Sequence, residues 1–139
     1  MRGPYEYSDE VASALAGKRP VVALETTVVT HGLPQPEGVT TALSLEEVIR
    51  QAGAVPATIG LVAGTIRVGL TRTQLESLAA TPHVAKINLS NLAAALSSGH
   101  SGSTTVAATM FLAHSSAIRV FATGGIGGVH RNAAETGDV

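Results

Sequence analysis

Cysteine and tryptophan are absent from the 139-residue sequence, and aromatic residues make up only 3% of it. The lack of cysteine excludes a disulfide framework, a zinc-thiolate site and a cysteine nucleophile. Charged residues are also scarce, at 14%, and the formal net charge is −1. A nucleic-acid-binding surface needs clustered Lys and Arg, so we expect no nucleic-acid partner.

A long apolar run is missing from the N-terminal segment, MRGPYEYSDEVASALAGKRP, which carries acidic residues instead. This segment has the pattern of neither a signal peptide nor a membrane span, so we expect a cytoplasmic protein with no membrane partner. Lysine is nearly absent as well, because only Lys18 and Lys86 occur. Few residues are therefore available for lysine chemistry.

Aliphatic residues dominate what is present, since 45% of the chain is hydrophobic and most of that is Ala, Val, Leu and Ile. This composition is typical of buried parallel strands and the helices that cover them. Apolar runs and helical spacing alternate along the chain. They predict strands at 21–24 (with a possible extension to 29), 55–62, 65–70, 84–89 and 118–122, and helices at 8–17, 37–52, 71–80, 90–98 and 104–116.

This alternation predicts a single α/β domain over residues 1–139, built as a three-layer α/β/α sandwich with a mostly parallel mixed sheet. Loops are predicted at His31–Pro36 and at the glycine-rich stretch Gly124–Gly128. The sequence stops soon after that stretch, at Ala134–Val139. We therefore expect the fold to be truncated.

Glu25 follows the apolar run Val21–Leu24, at the edge of the sheet where α/β enzymes place their sites. A carboxyl group among apolar residues has a raised pKa, because desolvation disfavours its charged form, and this suits a proton donor. The alternative is a glutamate that caps a helix or pairs with an arginine. His31, on the following Gly/Pro loop, is a candidate substrate contact or an ordinary exposed histidine.

Lys86 lies inside the apolar run 84–89, where a lysine is either exposed at an edge or held near an anion. Further along, small hydroxyl residues and glycine precede an apolar helix at Ser101–Thr105. The free N–H groups of a helix N-terminus bind phosphate, and hydroxyls add donors. Thr104 and Thr105 are thus candidate phosphate ligands, although a Ser/Thr helix cap explains part of the pattern.

Four glycines occur in five positions at 124–128, directly after a predicted strand, and His130 and Arg131 follow. Such a loop lets the backbone approach a ligand closely. The spacing matches neither the dinucleotide fingerprint nor a P-loop. Asp138 follows eight residues after His130, and its carboxylate could bind a divalent ion.

Taken together, these segments resemble the pseudouridine-5′-phosphate glycosidase family, which includes the indigoidine-synthesis A proteins. The matching stretches are ALETTVVTHGLPQPEGVTTAL, GAVPATIGLVAGTIRVGL, AKINLSNL, GSTTVAATM and IRVFATGGIGGVHR, between about residues 20 and 131. The resemblance implies reversible cleavage of the C–C glycosidic bond of pseudouridine 5′-phosphate, giving uracil and ribose 5-phosphate. It also implies an imine-forming lysine, a manganese ion, a cytoplasmic location and a homotrimer.

By position, Glu25 resembles the proton donor of the family and His130 its site histidine. Lys86 resembles a substrate-contacting lysine, Val106 a substrate-contacting backbone position, and Asp138 the metal-binding aspartate. The two-carboxylate scheme of ordinary glycosidases does not transfer, because a C–C bond has no leaving oxygen to protonate. A lysine imine supplies the electron sink instead.

The sequence departs from the family pattern near the site. Neither Lys18 nor Lys86 occupies the position of the imine-forming lysine. Asn88–Asn91 replaces a segment usually richer in Arg and Asp, and Ser103 and Gly137 also differ from the usual residues. The sequence therefore leaves two hypotheses: a glycosidase that is incomplete in this chain, or a non-catalytic phosphate- or nucleotide-binding protein of the same fold. It also predicts association, with further copies or with a missing C-terminal half.

Overall fold

A computed structural model describes residues 4–126 and 131–136 of the protein. The strands are β1 (Tyr5–Tyr7), β2 (Val21–Glu25), β3 (Val55–Val62), β4 (Thr65–Val68), β5 (Ala85–Ile87), β6 (Gly102–Thr104) and β7 (Val120–Ala122). The helices are α1 (Asp9–Ala16), α2 (Glu37–Gln51), α3 (Arg72–Ala80), α4 (Leu92–Ser97), α5 (Val106–Ser115) and α6 (Ala133–Thr136), and a π-helical turn spans Val28–Gly32. Among the described residues, no helix is long and apolar enough to cross a membrane.

Hydroxyl side chains start three of the helices. Ser8 caps α1 by accepting the N–H of Val11, and Thr105 caps α5 by accepting the N–H of Ala108. Thr71 forms a capping box with Gln74 at the start of α3. These bonds satisfy N–H groups that have no carbonyl partner inside the helix. The predicted helix starts at Ser8 and Thr71 are therefore confirmed.

The seven strands form one sheet, in which β1-β4-β3-β2-β7 is the main order. β2 pairs in parallel with both β3 and β7, β1 pairs in parallel with β4, and β5 pairs in parallel with β6. β3 is antiparallel to β4 and to β6. The predicted mostly parallel, mixed sheet is confirmed.

Helices cover both faces of this sheet. Val55, Ala57, Ile59 and Leu61 alternate along β3 and belong to a core that includes side chains of α1, α4 and α5. A second core lies on the other face, where side chains of α2 and α3 pack around Val29 and Leu70. Period-two alternation on a strand buried on both faces produces this arrangement. The three-layer prediction is therefore confirmed.

The hairpin predicted around Ala63 and Gly64 is present between β3 and β4, with Val62 opposite Thr65. Both turn residues have positive φ, 48° and 72°, as the two-residue turn of a tight hairpin requires. A Cβ on Gly64 would lie 2.8 Å from Gly99 Cα and 2.9 Å from the Leu96 carbonyl oxygen. Gly64 thus also allows a close backbone approach.

Two sequence expectations are wrong in detail, and one strand was missed. The strand does not continue through 26–29, because β2 ends at Glu25 and the chain enters the π-helical turn, which includes the first two residues of the predicted loop. The helix predicted to start at 104 begins only at Val106, because Gly102–Thr104 forms the strand β6. The strand β1 (Tyr5–Tyr7), next to β4, was not predicted.

Candidate functional site

Glu25 is the last residue of β2, and its carboxylate is held from the neighbouring strand. Thr123, the residue after β7, donates a hydrogen bond from Oγ1 to Glu25 Oε1 at 2.9 Å. The same hydroxyl accepts the N–H of Gly125 at 3.3 Å and lies 3.0 Å from the Gly125 carbonyl oxygen. The acid and the start of the glycine loop therefore meet at the carboxyl ends of two parallel strands.

A cleft of about 210 Å³ opens beside this carboxylate. Its described lining is mostly aliphatic and comes from β2, the π-helical turn, α2, β3 and β7: Leu24, Glu25, Val28, Ala42, Leu45, Thr58, Ala122, Thr123 and Gly124. Glu25 is the one charged side chain in that described lining. The cleft suits a ligand with an apolar face and a polar edge turned towards a carboxylate.

Thr26, directly after Glu25, joins the end of β2 to the end of β6. Its buried hydroxyl accepts the N–H of Thr104 at 2.7 Å and donates to the Ile59 carbonyl at 2.8 Å. Thr104 Oγ1 donates to the same carbonyl at 2.7 Å and accepts from Thr109 at 2.9 Å. The residues at the ends of β2 and β6 thus both bond the Ile59 carbonyl of β3. The start of α5 therefore lies beside the strand end that carries Glu25.

Lys86 is the middle residue of β5, a strand that adjoins the same region. It pairs with Ser103 of β6, which pairs with Gly60 of β3. Residues in register share a face of the sheet, so Lys86 lies on the face of Gly60, towards Leu70 and Leu78. It is half-buried. The Thr105 N–H donates to the Ile87 carbonyl at 2.9 Å, so β5 also adjoins the start of α5.

His31 lies at the exposed end of the π-helical turn, and both ring nitrogens have partners. Nε2 lies 3.1 Å from the Val84 carbonyl, and Nδ1 lies 2.6 Å from Thr30 Oγ1. Because a carbonyl only accepts, Nε2 must carry a proton. His31 therefore ties the turn after β2 to the chain just before β5.

The departures at Asn88 and Asn91 build the turn after Lys86. Asn88 Oδ1 accepts from the N–H and hydroxyl of Ser90 and from the Asn91 N–H. Asn91 accepts the Asn88 N–H and donates to the Lys86 carbonyl at 2.8 Å. This is local side-chain to backbone bonding that fixes a turn. It leads from β5 into α4.

Three of the four hydroxyl groups in the stretch predicted to bind phosphate have partners inside the protein. Ser101 accepts the Ala63 N–H, Thr104 belongs to the buried bonds with Thr26, and Thr105 caps α5. Ser103 is fully buried, and its Oγ has no hydrogen-bond partner among the described residues. Two of these hydroxyls thus serve the junction of β2 with β6 and the cap of α5. What the N-terminus of α5 offers a ligand is its first-turn N–H groups. Val106, the first residue of α5, contributes one of these N–H groups.

Two predicted site residues, His130 and Asp138, lie outside the described residues. Within residues 4–126 and 131–136, no group of three or more His, Cys, Asp or Glu side chains could hold a metal ion. The predicted metal site is therefore not tested. Glu25 ends β2 beside Thr123, which follows β7, and beside Thr104, which ends β6; Lys86 lies one residue before the end of β5.

Sequence reasoning missed the contact of Thr123 with Glu25 and the role of Glu46. Glu46 lies on α2, is buried, and accepts a hydrogen bond from Thr58, which lines the cleft. Its other oxygen lies 3.6 Å from Arg50, which bonds Glu10 through both Nε and Nη2. The hydrogen bond from Arg50 lowers the pKa of Glu10. A glutamate at helical spacing among exposed residues gave no signal of burial.

The fold and site together define a class: a three-layer α/β protein with a carboxylate-bearing cleft at the carboxyl edge of parallel strands. Within that class, the chain belongs to the indigoidine synthase A like protein family, whose model matches residues 10–139. The resemblance inferred from the sequence is confirmed.

Its relatives include pseudouridine-5′-phosphate glycosidases. That of Saccharopolyspora erythraea is 57% identical over 131 residues, covering 94% of this chain and 43% of the relative. That of a Jannaschia species is 52% identical over 139 residues, covering all of this chain and 46% of the relative. The chain thus spans less than half the length of these relatives.

Two solved structures share the fold. The prealnumycin C-glycosynthase AlnA, in complex with ribulose 5-phosphate, superposes with a TM-score of 0.83 at 45% identity, covering 99% of this chain and 44% of AlnA. An indigoidine synthase A-like protein of Thermotoga maritima gives 0.81 at 32% identity, covering 94% of this chain and 43% of that protein.

Proposed function

We propose that the chain carries the acid and substrate-binding part of a pseudouridine-5′-phosphate glycosidase. The reaction is reversible: pseudouridine 5′-phosphate and water give uracil and ribose 5-phosphate. The observation that carries the proposal is Glu25, held by Thr123 in an aliphatic cleft at the carboxyl end of β2. The names of the relatives at 52–57% identity support this choice of reaction.

Glu25 serves as the proton donor. When the C–C bond breaks, the bonding electron pair stays with the uracil carbon, which then requires a proton. Glu25 lies in an aliphatic cleft, where its carboxyl group can deliver that proton to a bound ring. The aliphatic walls accommodate the faces of a nucleobase ring while its edge meets the acid.

The start of α5 and Lys86 bind the phosphorylated sugar. The first-turn N–H groups at Val106 and Ala107 have no acceptor inside the helix, and the macrodipole favours an anion there. Lys86, on the adjacent strand β5, adds positive charge. The ribulose 5-phosphate bound by AlnA is a phosphorylated five-carbon sugar and supports this assignment. Thr104, Thr105 and His31 shape this region through the bonds described above.

The covalent step requires an imine-forming lysine, and this chain has no lysine at that position. Lys18 and Lys86 are the two lysines of the sequence, and neither matches the imine-forming position. We therefore expect full turnover only when polypeptide corresponding to the rest of the relatives is supplied. Manganese, with Asp138 as a ligand and His130 nearby, remains part of the proposal. Because both residues lie outside the described ranges, we derive no step through the metal.

We further propose a cytoplasmic homo-oligomer, with the trimer as the expected state. Large apolar side chains support association: Met110 and Phe111 on α5 and Val120 on the edge strand β7 are about half exposed. Sedimentation velocity on the intact chain, with Phe111→Asp as comparison, is the measurement. A concentration-independent monomer for the unmodified chain contradicts this part of the proposal.

The activity test runs the reaction in the synthetic direction. The chain is incubated with uracil, ribose 5-phosphate and Mn²⁺, with and without a C-terminal fragment of a relative, and pseudouridine 5′-phosphate is measured by chromatography. We expect product only with the fragment, and none with Glu25→Gln. Product from the chain alone contradicts the missing-lysine argument. No product in either case, together with measurable ribose 5-phosphate binding, favours the non-catalytic binding protein.

A further inference from the structure

We infer that Thr123 is a positioning residue that stabilises both protonation states of Glu25. The inference rests on the proposed role of Glu25 as proton donor. A donor must spend part of each cycle neutral and part charged, so a partner that bonds one form only would resist the proton transfer. Thr123 is placed to bond both forms.

The geometry around the Thr123 hydroxyl carries this inference. Three partners surround Oγ1: Glu25 Oε1 at 2.9 Å, the Gly125 carbonyl oxygen at 3.0 Å and the Gly125 N–H at 3.3 Å. The hydroxyl has one proton, so it can donate to the carboxylate or to the carbonyl, but not to both at once. The N–H of Gly125 is accepted in either case.

The protonation state of Glu25 decides which acceptor the Thr123 hydroxyl donates to. With Glu25 ionised, Thr123 donates to the carboxylate. With Glu25 neutral, the carboxyl O–H donates to Thr123 Oγ1, and the hydroxyl proton turns to the Gly125 carbonyl. The two arrangements differ only by the proton on Glu25; the Thr123 hydroxyl keeps one proton in each, and no heavy atom has to move. A backbone N–H in this place would favour the charged form, since it can only donate and cannot accept the O–H of the neutral acid.

Of the two hydroxyls in the described lining of the cleft, Thr123 is the one that bonds Glu25. Thr58, the other hydroxyl in that lining, donates its proton to Glu46. Thr123 is only partly buried and lies between a strand end and a glycine-rich segment. It therefore links the protonation of Glu25 to the hydrogen bonding of the Gly125 peptide groups.

The test compares Thr123→Val, which has the same shape without the hydroxyl, with Thr123→Ser, which keeps it. Backbone and side-chain NMR of the intact chain reports the Glu25 carboxyl carbon and the Gly125 N–H and carbonyl. Thr123→Val should shift all three resonances and raise the exchange rate of the Gly125 amide about tenfold, the equivalent of one lost hydrogen bond. Thr123→Ser should leave them near the unmodified values.

Glu25→Gln provides the second arm, because its side-chain NH₂ donates as the neutral acid does. This variant should shift the Gly125 carbonyl in the direction of a stronger hydrogen bond, and the shift should vanish in the double variant with Thr123→Val. A Gly125 carbonyl that is unaffected by Glu25→Gln overturns the two-state role. Unchanged resonances in Thr123→Val overturn the positioning role.

Turnover, with the C-terminal fragment present, adds a catalytic readout. Thr123→Val should lower kcat at least about tenfold with KM nearly unchanged, because positioned acids contribute to the transition state. Thr123→Ser should restore kcat. A raised KM with normal kcat, or no rescue by Ser, contradicts the inference. If the unmodified protein shows no turnover, the proposed function fails while the NMR arms still decide the role of Thr123.

Discussion

Replacing Thr26 with valine is expected to destabilise the protein even though valine is the more hydrophobic residue. Thr26 is fully buried, and its Oγ1 accepts the Thr104 N–H at 2.7 Å and donates to the Ile59 carbonyl at 2.8 Å. Valine has the same shape but leaves a buried N–H without its acceptor. Such an orphaned donor costs about 1–3 kcal/mol, and the lost donor to Ile59 adds about 1. The Ile59 carbonyl keeps its bond from Thr104, so we expect a total of about 2–3 kcal/mol.

Thr26→Ser separates the hydroxyl from the methyl group. Serine keeps the bonds and loses one buried methyl, worth about 1 kcal/mol. Urea unfolding followed by circular dichroism measures both variants, with the exposed Thr73→Val as a control expected within about 0.5 kcal/mol of the unmodified protein. At about 4 °C per kcal/mol for a chain of this size, Thr26→Val should lower Tm by about 10 °C. A Thr26→Val protein as stable as Thr26→Ser, or more stable, would refute the reasoning.

Other predictions test the turn, the buried glutamate and the surface ion pair. Gly64→Ala should cost about 2 kcal/mol or more by urea unfolding, because its Cβ meets backbone atoms at 2.8–2.9 Å, whereas Gly53→Ala, at similar positive φ with open space, should cost about 1. Glu46→Leu should cost about 2 kcal/mol, because the buried Thr58 hydroxyl loses its acceptor, and the exposed Glu47→Leu should cost little; equal losses would contradict this. Glu10→Gln should cost about 0.5 kcal/mol at pH 7, since the pair with Arg50 is partly exposed. Because the folded pKa of Glu10 is lowered, that difference should shrink as the pH falls below 4.5 and through the lowered pKa, and a difference that persists at pH 2 would count against the pair.

The fold was largely readable because most elements carry local signals. The strand β3 is a largely apolar run, α3 starts at a capping box, and the hairpin turn has glycine where positive φ is needed. β6 gave no such signal, because Gly102–Thr104 has the composition of a loop. The segment forms a strand because β3 extends beyond the end of β2, and the peptide groups of β3 that β2 does not reach pair with β6.

The site was readable only in part. The position of Glu25 follows from where an apolar strand ends, which is local information. Its contact with Thr123 joins residues 98 apart and exists because β7 adds to the sheet beside β2. Glu46 looked like a surface residue because its neighbours on α2 are exposed. Contacts that depend on strand order cannot be read from spacing along one segment.

The junction at Thr26 also bears on how the protein folds. Its hydrogen bonds to Thr104 close a loop of 78 residues, and the chain entropy lost in closing a loop of that length is about 4 kcal/mol. Contacts so distant in sequence are expected to form late, after the local hairpin of β3 and β4. Thr26→Val should then accelerate unfolding and leave the refolding rate nearly unchanged. In that case the region around Glu25 takes shape in the last step of folding and is among the first to open.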